Sequence, residues 1–567
     1  MNRPRIFAFI AIATAIGAST TLISKLSAGD DHSGHFKFQS DSIVLSRSVY
    51  VGNASTVTAG ETLPLGCPGG PNGSTVVAVP TTTNGITDVT VPCGVASDNG
   101  EFPNLSDSHN VWNNSGSDGS FGVTSPIFLD NLSSDGHLLG TLPIPTNQIV
   151  TSFSSKSELA LNRSIDGRSL TFMAYQGGPG CGGFPVVPTA PSLLDVSASN
   201  TPGVCDLTNP VVTTYPSNPI VPAAYYRAVA EVDADGHLSV TDGNAYSGDN
   251  GRAAIKGANG LYYMVGNDDS GNLSKKQLTT TPSGIALINA TGAELLVPGQ
   301  TPPVPPNIDM IGRLLFGSDK PGKDTNFRGL TIFNNTLYVT KGSGGNGINT
   351  VYQVGSQGTL PTGTAAQLAT VPITILPGFP NTAASTSTAF PFGIWFANAT
   401  TLYVCDEGDG ILVTGQIING QTNVADAQSL ATAGLQKWSL VNGTWVMDYV
   451  LQDGLNIGVP YSVANYPTAL NPATGGCRNI AGRHNHDGTV TVFAITSTLS
   501  TNGDLGADPN KLVKVTDVLS ATTLPAAAAT SHSDDDERIG HFVTIRSAHA
   551  GEVFRGVALA PNDRGDE

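Results

Sequence analysis

The stretch FRGLTIFNNTLYVTKGSG, residues 327–344, decides the fold because variants of it recur along the chain. It contains a short apolar strand, an Asn-Asn turn, a second strand centred on Leu-Tyr-Val, and a polar loop. Similar copies are GRAAIKGANGLYYMVGND from Gly251 and FGIWFANATTLYVCDEGDG from Phe392. Repetition of a strand-turn-strand unit at this scale is typical of a β-propeller, in which each repeat contributes one blade.

Looser copies begin at Glu158 and Arg478, and a half copy, FRGVALAP, lies at Phe554. The first strands of the copies begin near Glu158, Arg252, Arg328, Phe392, Arg478 and Arg555. This count favours six blades, and the irregular spacing leaves seven open. The last copy lacks outer strands, which the N-terminal strands IVLSRSVYV and SPIFLDNL can supply. The sequence therefore predicts an all-β propeller whose ring is closed by N- and C-terminal strands in one blade.

The chain has 567 residues, of which 13% are charged, with 66 Gly and a net charge of −17. This charge argues against a nucleic-acid partner, which requires a basic face. Residues 1–28 resemble a signal peptide, with Arg3 and Arg5 before an apolar run too short for a membrane span. We therefore expect a secreted or periplasmic protein with no membrane span after signal removal. Residues 29–122 are predicted to be loop-rich and to contribute one strand to the closing blade, and residues 123–567 to form the propeller.

The six cysteines fit an oxidising compartment. Cys67 with Cys93, and Cys181 with Cys205, each bracket a loop rich in turn-forming residues, so each pair is predicted to form a disulfide. Cys405 and Cys477 lie at the edges of neighbouring repeats. They can either pair with each other or remain buried thiols.

The phrases GVTSPIFLD, AYSGDNGRAAI and FPFGIWFANATTLYV resemble a family of exported, mostly bacterial, propeller-like proteins. The resemblance extends from about Val123 to Arg555. It implies the propeller fold and export. It implies no activity, and it assigns no role to any residue.

Alignment of the copies places Arg252, Arg328, Arg478 and Arg555 at one position, the start of the inner strand, with Lys341 on the same face. Guanidinium groups around a channel mouth can bind a carboxylate, sulfate or phosphate. The alternative interpretation is structural: each arginine pairs with a carboxylate or carbonyl of a neighbouring blade.

A second set on the same face combines carboxylate and amide oxygens, which are ligands for Ca²⁺. The metal candidates are Glu158, Asn250, Asn326 and Asp406. Solvated or salt-bridged side chains are the alternative interpretation of this set.

Two classes of function remain. The first is a non-catalytic, monomeric binding module whose loop-rich channel face takes a small anionic ligand, a protein or a glycan. The second is a metal-assisted hydrolase, of lactonase or phosphoesterase type, at the channel mouth. No nucleophile or general base is evident in the sequence, and this favours the first class.

Overall fold

The computed structural model describes most of the repeat region and one N-terminal strand. The described ranges are 36–50, 124–153, 155, 158–176, 227–243, 245–246, 250–267, 293–299, 326–342, 347–368, 370–410, 431–499, 506–525 and 538–563, with several short strands between them. All of these residues belong to one compact unit, Phe36–Glu567.

The six larger sheets are the blades of the propeller. They are numbered in the chain order of their inner strands, and the strands of each blade are given from the inner strand outward. Blade 1 consists of Asn162–Arg163, Ser169–Gln176, Arg227–Asp233 and Leu238–Gly243, with Ile149–Ser152 and Thr124–Ser125 added at one end. Blade 2 consists of Gly251–Lys256, Tyr262–Gly266, Ala293–Leu296 and Ile308–Met310. Blade 3 consists of Leu330–Phe333, Thr336–Lys341, Thr350–Val354 and Pro372–Ile375, with Arg313–Leu314 parallel to the last.

The other three blades have four strands each. Blade 4 consists of Pro391–Asn398, Thr401–Asp406, Gly434–Val441 and Thr444–Leu451. Blade 5 consists of Ala473–His484, Thr489–Leu499, Lys511–Val518 and Val543–Ser547. Blade 6 consists of Glu552–Leu559, Ile43–Val49, Ile127–Leu132 and Leu138–Pro143.

Blade 6 joins the two ends of the repeat region. Its inner strand, Glu552–Leu559, is antiparallel to Ile43–Val49, with Ile43 opposite Leu559. Ile43–Val49 is in turn antiparallel to Ile127–Leu132. The sequence prediction of a propeller closed by N- and C-terminal strands is therefore confirmed, with six blades rather than seven.

The blades pack because their second strands are almost entirely buried on both faces. In blade 3 the whole strand Thr336–Lys341 is buried. Each of the six seams between neighbouring blades has its own apolar cluster, such as the one that joins Phe172 of blade 1 to Ala558 of blade 6. The core is thus a series of interblade layers around a narrow channel.

The turns between inner and second strands follow the predicted chemistry. In blade 3 Asn334 and Asn335 have φ values of 46° and 57°, which fits a two-residue hairpin of type I′. Asn tolerates this left-handed region better than other non-glycine residues. These tight turns set the register that places equivalent residues of each blade at the same height.

Further short elements lie outside the blade sheets. Hairpins within insertions between strands of one blade pair Thr62–Leu63 with Gly94–Val95, Ser74–Thr81 with Gly85–Pro92, Thr280–Thr281 with Gly284–Ile285, and Ile417–Ile418 with Gln421–Thr422. Helical elements in the described part of the chain include Ala365–Leu368, Ala384–Thr386 and Thr468–Leu470. Within the described residues, no helix has the length and apolar character to cross a membrane.

Candidate functional site at the channel mouth

The candidate site lies in or just before the six inner strands. Its repeat positions are occupied by Glu158, Arg252, Arg328, Phe392, Arg478 and Arg555, and all are buried. A glycine follows three of them, at Gly329, Gly393 and Gly556. A methyl group on any of these glycines would collide with a backbone carbonyl oxygen of the next blade. The inner strands therefore approach closely, and the long side chains at this position are enclosed by protein.

Arg478 of blade 5 is held by a carboxylate of blade 4. Its Nε donates to Glu407 Oε2 at 3.0 Å, and both side chains are at most 5% exposed. A charge-assisted bond in such a buried setting depends on both partners, because removal of one leaves an uncompensated charge. This contact links two neighbouring blades at the channel mouth.

Arg328 and Lys341 place two positive charges on adjacent strands of blade 3. Arg328 N donates to Thr340 O at 2.8 Å, which puts Arg328 beside Lys341 in the register. Both side chains are buried, and Lys341 Nζ donates to Asn349 Oδ1 at 3.1 Å. Like charges on neighbouring strands repel, and burial raises the cost of each.

Phe392 is the one aromatic residue among these six. Its ring centroid lies 6.0 Å from Cζ of Arg328 and 6.0 Å from Cζ of Arg478. The ring, in blade 4, thus offers a weakly attractive face to a guanidinium group of each flanking blade, 3 and 5.

The last two arginines occupy the same buried position in blades 6 and 2. Arg555 Nη2 donates to the backbone carbonyl of Phe153. Arg252 is 4% exposed. All five cationic residues singled out from the sequence are therefore buried, and their convergence on one anion site stays a prediction.

Glu158 is surrounded by hydrogen-bond donors. Oε2 accepts from Thr151 Oγ1 at 2.9 Å and from Ser152 N at 3.3 Å. Oε1 accepts from Tyr175 Oη and from Asn250 Nδ2, the latter at 2.9 Å. The structure thus brings together two of the four metal candidates, Glu158 and Asn250, with the amide of Asn250 acting as a donor.

Asp406 lies in a different environment, at the end of the second strand of blade 4. Its carboxylate accepts from Phe390 N at 2.8 Å, from Gly408 N at 2.9 Å and from Gln436 Nε2 at 3.0 Å. Burial raises the pKa of Asp406 to about 7, although the backbone donors act in the opposite direction. The donors hold this carboxyl group in one orientation.

Asn326 is half-buried and lies two residues before Arg328. Asp406 belongs to blade 4, whereas Glu158 and Asn250 lie at the seam between blades 1 and 2. In the part of the chain that the structure describes, no group of three or more His, Cys, Asp or Glu side chains is arranged to hold a metal ion. Calcium binding by the carboxylate and amide oxygens of the four metal candidates therefore stays a prediction.

A cavity of about 10 Å³, roughly the space for one water molecule, lies between the inner strands. Asn162, Phe392 and Asn479 contribute to its lining. Asn479 spans the inner strands, since Oδ1 accepts from Val557 N at 2.6 Å and Nδ2 donates to Leu161 O at 3.4 Å.

Sequence reasoning missed a set of contacts that hold the second strand of one blade to the inner strand of the next. Ser46 Oγ donates to Leu159 O at 2.7 Å, and Thr340 Oγ1 donates to Phe392 O at 2.6 Å. The copies LYVT and LYVC place Cys405 where blade 3 has Thr340. The occurrence of Thr in one repeat and Cys in another at this position was the feature of the sequence that could have indicated these interblade contacts.

The structure decides the open question about Cys405 and Cys477. The two residues form a disulfide, with a Cα–Cα distance of 5.2 Å. It joins the second strand of blade 4 to the inner strand of blade 5. The two predicted loop disulfides, formed by Cys67, Cys93, Cys181 and Cys205, lie outside the described residues.

No protein-family model and no curated protein matches the chain. Among solved structures, a glucose dehydrogenase is 12% identical with a TM-score of 0.28, over 67% of this chain and 91% of that chain. The haemagglutinin-neuraminidase ectodomain of parainfluenza virus 5 is 9% identical with a TM-score of 0.32, over 70% of this chain and 74% of that chain. Similarities this weak do not bear on what the protein does.

Proposed function

We propose that this propeller is an exported binding module that holds a carboxylate, sulfate or phosphate group at the mouth of its channel. The main evidence for this proposal is that Arg328 and Lys341 of blade 3 are two buried positive charges at adjacent positions. Three further arginines at the mouth are also buried. An anion between these side chains lowers their mutual repulsion. In a solvent-excluded site its attraction to them is stronger than in water.

One feature supports export. The disulfide between Cys405 and Cys477 is typical of proteins that fold in oxidising compartments.

The hydrolase remains the second candidate, and the Glu158–Asn250 contact is the observation in its favour. Glu158 already accepts hydrogen bonds from four protein donors, which occupy the lone pairs that a metal ligand needs. This supports the binding module over the hydrolase. Elemental analysis of the purified protein tests the hydrolase directly, because a stoichiometric divalent metal would favour it.

The test of the binding proposal is thermal unfolding with sulfate, phosphate or a short dicarboxylate, at an ionic strength matched with chloride. An anion at about 100 times its Kd should stabilise the native chain by about 2.7 kcal/mol. We expect Arg328→Ala to lose this stabilisation. The control is Arg483→Ala, because Arg483 lies toward the opposite end of an inner strand, over the Phe493 ring.

The arginines are instead structural if none of these anions stabilises the native chain and the Arg→Ala variants at the mouth each lose stability. Such a loss is expected to be about 1–3 kcal/mol, from partners left without hydrogen bonds. The contacts of Arg478 with Glu407 and of Arg555 with the Phe153 carbonyl lead us to expect this structural behaviour at those two positions.

A further inference from the structure

The seam between blades 4 and 5 differs at the channel mouth from the seams between blades 6 and 1 and between blades 3 and 4. Where Ser46 and Thr340 form hydrogen bonds to the next blade, this seam has the covalent bond between Cys405 and Cys477. Both cysteines are fully buried. A hydroxyl-to-carbonyl contact is insensitive to reductants, whereas a disulfide can be opened.

The disulfide lies directly beside the charged contact at the mouth. Glu407 follows Cys405 by two residues, and Arg478 follows Cys477 directly. Glu407 and Arg478 form the 3.0 Å pair across the seam, and Ser497 Oγ donates to Glu407 O at 2.8 Å. Opening the disulfide therefore releases the covalent constraint nearest to this pair.

Close backbone packing depends on the same segment. A methyl group at Gly476 would collide with the backbone oxygen of Asp406. The two strands, one of blade 4 and one of blade 5, thus touch through backbone atoms at the position where the cysteines join them. A small separation of the blades here would move Glu407 away from Arg478.

The outer part of the seam is held by other contacts. Asp517 of blade 5 accepts from Tyr403 Oη of blade 4 at 2.6 Å and forms a buried ion pair with Lys437 at 3.0 Å. An apolar cluster that includes Leu435 and Val492 also spans blades 4 and 5. These contacts do not involve the sulfur atoms, so they can keep blades 4 and 5 together when the disulfide is reduced.

We propose that the Cys405–Cys477 disulfide is a redox-sensitive clamp of the channel mouth. When it is oxidised, it keeps Glu407 and Arg478 in contact. A dithiol reductant transfers two electrons and two protons to it, the S–S bond breaks, and two thiols form while the dithiol becomes a disulfide. Reduction then loosens the inner end of the seam and weakens anion binding. The statement about anion binding rests on the function proposed above.

The test compares the full chain, oxidised and reduced by dithiothreitol, with two variants. Cys405→Ala/Cys477→Ala represents the open clamp. Cys405→Thr/Cys477→Ala replaces the disulfide by the hydroxyl that Thr340 supplies at the equivalent position. It also controls for the reduction of Cys67, Cys93, Cys181 and Cys205, because dithiothreitol acts on those residues in this variant as well.

The primary measurement is amide hydrogen exchange at Glu407 and Gly408. Glu407 N donates to Phe390 O at 3.0 Å, and Gly408 N donates to Asp406 Oδ1 at 2.9 Å. We expect exchange to rise about tenfold on reduction and in the Ala/Ala variant, as for a local opening. Exchange at Thr340, in the seam without a disulfide, should stay unchanged, and the Thr/Ala variant should resemble the oxidised chain.

Two results would overturn the clamp. One is unchanged exchange at Glu407 and Gly408 in both the reduced chain and the Ala/Ala variant. The other is sulfate stabilisation that is equal in the oxidised chain, the reduced chain and the Ala/Ala variant. If exchange rises as expected but no anion stabilises even the oxidised chain, the clamp is supported and the proposed function fails.

Discussion

The strongest test of how the blades are held together is the removal of one buried carboxylate, Asp517. It lies in the third strand of blade 5 and is fully buried. It accepts from Tyr403 Oη at 2.6 Å and from Tyr449 Oη at 2.9 Å, and it pairs with Lys437 at 3.0 Å. Burial, with the nearby Asp517 carboxylate, raises the pKa of both tyrosines, so they remain neutral donors. Asp517 thus joins three side chains of blade 4 to blade 5.

Asp517→Asn removes the negative charge while it nearly preserves the volume. Lys437 then remains fully buried, with hydrogen bonds to Tyr449 Oη at 3.0 Å and to Val518 O at 2.6 Å but with no carboxylate partner among the described residues. Loss of one partner of a buried ion pair costs about 3–5 kcal/mol, because the other charge stays uncompensated. We therefore expect the free energy of unfolding to fall by about this amount.

The assay is urea unfolding at neutral pH, with Asp448→Asn as the control. Asp448 lies on the same blade 4 hairpin but is partly exposed, and it accepts from Ser439 Oγ. The control should lose less than about 1 kcal/mol. In Lys437→Met/Asp517→Asn the loss should be smaller than the sum of the single losses, since the charges are coupled. A loss for Asp517→Asn no larger than that of the control would refute the reasoning.

Three further predictions concern ring closure, pH and the loop cysteines. Deletion of the residues after Gly551 removes the inner strand of blade 6 and exposes the edge of Ile43–Val49, so the melting temperature should fall sharply; an unchanged value would contradict ring closure by this strand. Since the pKa of Asp406 is raised to about 7, the native state binds its proton more tightly than the unfolded state. The resulting stabilisation of the native state is present below about pH 4 and is lost as the pH rises to about 7. In urea unfolding measured across this pH range, Asp406→Asn should lack this loss of stability. Equal pH profiles for the variant and the native chain would contradict the prediction. Peptide mapping without reduction should recover two loop disulfides, Cys67–Cys93 and Cys181–Cys205, from protein produced in an oxidising compartment, and free thiols at these residues would refute them.

The site was only partly predictable from the repeat. Alignment of the copies predicted one position for Arg252, Arg328, Arg478 and Arg555, because a fixed strand-turn-strand length fixes the height of each residue. It could not show that Arg478 pairs with Glu407 whereas Arg555 bonds the backbone of Phe153. Those partners come from other blades or from loops, and their distances depend on how closely the blades pack.

The sequence by itself determined the propeller, the blade count it favoured and the joining of both chain ends in one blade. Local information was enough for these features, since apolar alternation and turn residues act over a few positions. Only the tertiary structure decided that Cys405 bonds Cys477 and that Asp517 joins Tyr403, Tyr449 and Lys437. These residues are far apart in the chain, and the curvature of the ring, not their spacing in sequence, brings them into contact.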